Sequence, residues 1–261
     1  MCQVEVVTIT NWVEEGLLRS PVFHERAAEG ILCGLADYFS QTKSPPSYGR
    51  LEKIPLRTHI ISEEDDLVQI ILRYAGDIVR PGDIICIAES VAAITQGRAV
   101  LPKDVNPSLL ARFLCRFPGK DGSLATPPAM QLAIQEVGVP RILLGTLAAG
   151  LGRVVGRKGD FYRVAGKSLA LIDDIAGTMP PFDKHVVLGP VNSSEVVKKI
   201  KEAVKAHAVI ADVNDKGFVD IIGSTAPVSD EVLAQVLSDN PFGNDDQKTP
   251  IVILRGLLSA T

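Results

Sequence analysis

Ala208-Val209-Ile210-Ala211-Asp212-Val213-Asn214-Asp215-Lys216-Gly217, followed by Val219-Asp220-Ile221-Ile222, is the stretch that decides the fold class. Four apolar residues run into a polar quartet rich in turn formers, and an alternating run returns. That pattern predicts a buried strand folding back as a hairpin around residues 214–217. Two other short apolar runs, Ile84-Ile85-Cys86-Ile87-Ala88 and Ile251-Val252-Ile253-Leu254, read as buried strands. Residues 51–61 read as extended chain, and 161–164 and 186–188 as further strands.

Helical patterns lie between these runs. Asp65 and Asp66 open a helix that carries Leu67, Ile70, Ile71 and Tyr74 on one face, with its acids at the positive end. Asn106-Pro107 starts a helix to about residue 117, and residues 129–137 form another. Residues 141–148 suit a strand or an apolar helix, and 150–159 a glycine- and arginine-rich connection. Asn192-Ser193 caps a helix to about residue 207, with Val196, Val197, Ile200 and Val204 inward. Residues 229–237 form the last helix. The class is α+β, without the strict β-α-β cadence of a doubly wound sheet.

Residues 1–50 read as a separate N-terminal extension. Ala27, Ile31, Leu35 and Phe39 give residues 22–40 an amphipathic helical pattern, and Pro45-Pro46 sits in a polar linker that neither helix nor central strand can continue. Residues 51–261 form the main domain.

Composition narrows the function. The chain has 261 residues, 46% hydrophobic, with a formal net charge of −4. That is enough apolar material for a large core. There is no basic excess to grip a nucleic-acid backbone, so no nucleic-acid partner is expected. No run of about 18 apolar residues suggests a membrane span. Glu5, Glu14 and Glu15 do not suit a secretory signal. Cys2, Cys33, Cys86 and Cys115 are isolated, which argues against a disulfide framework or a zinc site. A soluble cytoplasmic protein is the expectation.

Several familiar motifs fail on inspection. Gly166-Lys167-Ser168 lacks the P-loop glycine five residues upstream, where Phe161 stands. Gly150-x-Gly152-x-x-x-Gly156 misses the dinucleotide fingerprint by one residue, so an NAD- or flavin-dependent oxidoreductase ranks low. Asp212-x-Asn214-x-Lys216 begins like an EF-hand loop but puts a cation where an oxygen ligand belongs. His24, His59, His185 and His207 are scattered and make no zinc-hydrolase pair.

Two acidic clusters remain, each closing an apolar run: Asp173-Asp174 after Leu169-Ala170-Leu171-Ile172, and Asp212 with Asn214 after Val209-Ile210-Ala211. Pattern alone suits two readings. Both clusters can be turns, where Asp and Asn serve their own backbone. Converging, they can hold a magnesium or manganese ion, since carboxylate and amide oxygens suit hard cations that in turn bind phosphate.

At these residues the sequence resembles the coenzyme F-420-0:L-glutamate ligase, or gamma-glutamyl ligase, family. The likeness covers about residues 51–256. Pro81-Gly82-Asp83-Ile84-Ile85 resembles the family's strand entry, and Gln96-Gly97-Arg98 its Glu-Gly-Arg turn. Val209-Ile210-Ala211-Asp212-Val213-Asn214 resembles its strand ending in Thr-Asp-Thr-Asn-Gly-Arg, and Leu188-Gly189-Pro190 the segment between. A divergent ligase-like branch is closer still, sharing residues 123–141, 159–166 and Asp239-Asn240-Pro241-Phe242-Gly243 through Thr249-Pro250-Ile251.

The resemblance implies a butterfly-like mixed α/β fold, an intertwined homodimer, GTP, and Mg or Mn. The implied reaction adds L-glutamate to a phosphorylated deazaflavin acid through an amide bond. Asp212 falls on a metal-binding aspartate and Asp173 on a second; Asp174 and Asn214, from the two acidic clusters themselves, complete the candidate metal set. Arg98, Arg153, Arg157 and Lys158 are the candidate nucleotide-binding residues. Three positions depart from the family pattern. Asp174-Ile175-Ala176 stands where Ser-Asn is expected, Ile94 where a lysine is, and Asp215-Lys216 where Gly-Arg is. These departures raise the alternative of a ligand- or nucleotide-binding protein that keeps the fold with altered catalysis.

Overall fold

The structure is a computed structural model. It describes residues 51–118, 123–154, 156–157, 159–175, 178, 180–214, 217–243 and 248–258. The helix and linker expected within residues 1–50 lie outside these, as do Lys158, Asp215 and Lys216.

The main sheet is mixed. Its strands are β1 (Glu52–Leu56), β2 (Ile84–Ala88), β5 (His207–Val213), β6 (Val219–Ser224) and β7 (Ile251–Arg255), in the order β1-β7-β2-β5-β6. The β2–β5 pair is parallel and its neighbours are antiparallel. β2, β7 and most of β5 are buried, which is why they read as unbroken apolar runs. The hairpin around residues 214–217 is present as β5–β6, closed by the Asn214 amide donating to Phe218 O at 3.1 Å. A short second sheet pairs β3 (Ala99–Val100) with β4 (Val186–Val187).

Helix α1 (Leu67–Ala75) covers the sheet. Asp66 Oδ1 caps it by accepting from the Gln69 amide at 2.9 Å, and Leu67, Ile70 and Ile71 are buried. Each such side chain contributes about 1.5–3 kcal/mol through burial. α7 (Ser193–Val204) packs beside it through Val197 and Ile200. Its cap differs from the expected one: Asn192 is left-handed, with φ of 53°, and its side chain makes no capping bond. The helix ends at Val204 because His207 already belongs to β5.

A second core is helical. It gathers α3 (Leu109–Leu114), α4 (Pro127–Val137), α5 (Val139–Val154) and α6 (Asp160–Ala165). Ser108, rather than Asn106, caps α3, its hydroxyl accepting from the Ala111 amide. Residues 161–164 are helical rather than extended; four residues are too few to tell period 2 from 3.6. Residues 150–154 continue α5 rather than form a connection. A Cβ on Gly145 would lie 2.7 Å from the Ala165 Cβ, so glycine there lets α6 cross closely. With Gly150 and Gly152 inside a helix, they lack the strand-to-helix turn that a dinucleotide fingerprint requires.

The cores meet at α2 (Glu89–Ile94), where Ala93 and Ile94 pack on Val187. Among the described residues no single helix is long and apolar enough to cross a membrane; α4 and α5 pass such a test only as a pair bent by 114°.

Candidate functional site

The parallel register sets the site. Ala88 lies opposite Ala211, so Glu89, the residue after β2, and Asp212, near the end of β5, lie at the same end of adjacent parallel strands. Carboxyl ends of parallel strands are where open α/β sheets place their ligands. Here a cleft of about 750 Å³ opens, lined by Glu89, Asp173, Asp212 and Asn214, with His59 and Lys248 also on its walls.

Asp173 arrives by a different route. The apolar run before it is a short 3₁₀ turn, Lys167–Leu171, rather than a strand. An isolated bridge then fixes Asp173 to Val187: the Asp173 amide donates to Val187 O at 2.8 Å, and the Val187 amide to Asp173 O at 2.9 Å. Val187 packs on α2, so the bridge carries the Asp173 carboxylate toward Glu89. Thr178 donates its hydroxyl to Asp173 Oδ2 at 3.2 Å.

The electrostatics follow from this crowding. Burial, with Asp173 and then Asp212 repelling it, pushes Glu89 up to about 9; Arg98 pulls the other way. Burial and Asp212 raise Asp173 to about 6. Asp212 opens onto solvent by area, yet desolvation and Asp220 still raise its carboxyl. Glu89 is 5% exposed, and its Oε1 is buried without a hydrogen-bond partner.

The structure brings together Asp173, Asp212 and Asn214 of the residues expected from sequence. It turns Asp174 away from that cleft. Asp174 Oδ1 accepts from the Thr126 hydroxyl at 2.7 Å and the Ile175 amide at 2.8 Å, and Oδ2 accepts from the Thr126 amide at 2.9 Å. Asp174 therefore anchors the start of α4, which Thr126 caps.

The expected nucleotide-binding arginines also lie off the cleft lining. Arg98 donates to Gly189 O at 2.5 Å and Glu136 at 2.9 Å, Arg153 to Phe117 O, and Arg157 to Asp160. Glu89 is the acidic residue of the cleft that the sequence pattern did not single out. A signal was present: Glu89 closes the run of residues 84–88 as Asp212 closes 208–211.

The donor set is carboxylate and amide oxygen, which suits Mg or Mn rather than zinc. Among the described residues, no three His, Cys, Asp or Glu side chains stand ready to chelate one ion. Magnesium needs no such cage, since it keeps several waters and takes one or two carboxylates plus phosphate oxygens. The partnerless Glu89 oxygen beside two other carboxylates is the observation that fits a cation.

Fold and cleft together define a mixed α+β protein with an acidic cleft where a parallel strand pair ends. A family model described as F420-0:Gamma-glutamyl ligase matches residues 55–215, more than half of the chain, and the chain belongs to that family. No curated protein matches the chain.

Proposed function

We propose that this protein is a divalent-metal- and GTP-dependent amide ligase that joins L-glutamate to a phosphorylated acid of the deazaflavin class. One observation carries the reading: Asp173, Asp212 and Asn214, all inside the family match, line one cleft. Asp173 and Asp212 would hold the Mg or Mn with Asn214 beside them. When bound, the ion supplies positive charge that neutralises phosphate oxygens. The acid substrate's carboxylate attacks the γ-phosphorus of the nucleotide and releases the diphosphate. The glutamate amine then attacks the acyl carbon, expels phosphate and gives up a proton. Lys248, on the same walls, would supply positive charge for the anionic ends of the substrates.

Calorimetry with GTP or ATP plus Mn²⁺ tests this reading. Metal-dependent nucleotide binding is expected, and no binding to either nucleotide would sink it. A second reading, a binding protein with altered catalysis, draws support from Ile94. The resemblance puts a lysine there, but Ile94 is buried, apolar and part of the cleft lining. A glutamylated product in mass spectrometry would exclude that second reading.

We also read the protein as a cytoplasmic homodimer. Support for the dimer comes from α5, where Leu143, Leu147, Leu151 and Val154 form an exposed stripe at helical spacing.

A further inference from the structure

We infer that the imidazole of His59 is a stacking platform for the planar heteroaromatic ring of a phosphorylated ligand in the cleft. This rests on the ligand-binding reading above and deepens it with a residue that neither the motif nor the resemblance supplies.

The first support is the way the ring is held. His59 lies between β1 and α1 and lines the cleft. Its backbone N–H donates to the Tyr74 hydroxyl at 3.2 Å, and that hydroxyl lies 2.8 Å from Nδ1. Nε2 lies 3.0 Å from Asp65 Oδ1. A carboxylate only accepts, so Nε2 carries a proton and donates to Asp65, while Nδ1 accepts from Tyr74. Asp65 is fixed in turn, its Oδ2 accepting from the Ser62 amide at 2.9 Å. That amide, and then His59, holds the Asp65 carboxyl below the usual carboxylate range.

The second support is what this arrangement leaves free. With both nitrogens committed to protein groups, the ring offers a ligand its face rather than an acid, a base or a metal-binding lone pair. Tyr74 stacks on the imidazole with centroids 5.7 Å apart, and Arg73 lies over the Tyr74 ring at 5.4 Å. Even so, 38% of the His59 side chain is exposed. Its neighbour Ile60, also in the cleft wall, is 50% exposed. An oriented aromatic ring beside an exposed apolar side chain suits a flat ring, and its rigidity lowers the entropy lost on binding.

The third support is the adjoining charge. The Thr58 amide donates to Lys248 O at 2.9 Å, which ties the His59 segment to that of Lys248. Lys248 lines the same cleft. A ring platform joined to an ammonium-bearing segment suits a ligand that carries both a flat ring and a phosphate. Nucleoside phosphates and phosphorylated flavin-type rings share that chemistry.

The test titrates two probes separately into the full-length chain with Mg²⁺: a non-hydrolysable GTP analogue and flavin mononucleotide. Binding is read by calorimetry and by proton NMR of the probe's ring protons. Wild type is expected to bind at least one probe and to shift its ring protons upfield. His59→Ala is expected to abolish that shift and to weaken binding roughly fivefold or more, the lower end of what one base–aromatic stack supplies. His59→Phe keeps an aromatic face and is expected to stay within about threefold of wild type. Circular dichroism checks that both variants fold. Loss with one probe alone names the ring that the platform holds.

If wild type binds one or both probes and His59→Ala binds them equally well, His59 is no platform, and the nucleotide and metal reading stands without it. His59→Phe binding as poorly as His59→Ala also overturns the inference, since the ring's hydrogen bonds and not its face would then matter. If wild type binds neither probe, the functional reading itself fails, and this inference with it.

Discussion

The crowded carboxylates make the metal-free protein sensitive to pH in a direction that can be worked out in advance. Glu89 titrates at about 9 in the fold against 4.5 ordinarily. The folded chain thus holds this proton where the unfolded chain has lost it. The stability it confers is complete below pH 4.5 and disappears as pH rises toward 9. Asp173, raised to about 6, adds its own loss mostly below pH 6. Between pH 6 and pH 8, then, Glu89 is the group of the cleft that dominates.

One pH unit is worth 1.36 kcal/mol, so two units cost about 3 kcal/mol. For a domain of this size that is a fall in Tm of roughly 5–10 °C. The assay is thermal unfolding in chelator at pH 6 and pH 8, for wild type and Glu89→Gln. Wild type should lose that margin across the interval, and Glu89→Gln, which has no proton to lose there, should keep most of it. Equal slopes for the two proteins in chelator would refute the account of Glu89 as a buried, uncompensated acid.

Other perturbations separate the remaining roles. Asp174→Ala should lower stability by about 1–2 kcal/mol through loss of its bonds to Thr126 and the start of α4. Mn²⁺ affinity should stay within twofold of wild type; a large loss in calorimetry would return Asp174 to the metal set. Asp83 is buried and receives Arg255 through Nε and Nη2, the shortest contact being 2.9 Å. Asp83→Ala should lower the midpoint of urea unfolding, since it removes the buried carboxylate that Arg255 meets at the edge of the β2–β7 seam. Leu147→Glu with Leu151→Glu should convert a dimer to a monomer in light scattering. Assembly unchanged by that double substitution would remove α5 from the interface.

Much of the fold was legible because burial on both faces leaves a plain mark. β2, β5 and β7 read as apolar runs, and the polar quartet at residues 214–217 forced the hairpin. The α1 face and its Asp66 cap were equally local. Asp212 could be singled out by the same logic, as an acid that closes a buried strand.

Tertiary structure decided the rest. Residues 84–88 and 207–211 are separated by more than a hundred positions, and only their parallel register sets Glu89 beside Asp212. Asp173 and Asp174 are neighbours in sequence and look equivalent. A backbone bridge to Val187 sends one to the cleft, and Thr126 takes the other. Likewise the glycines of α5 mimic a loop until α6 is seen crossing at Gly145. The sequence by itself determined which segments are buried and that acids close them, because burial and turn chemistry act over a few residues. Which acids meet was settled by hydrogen-bond pairing between segments far apart in the chain, and no local pattern encodes that pairing.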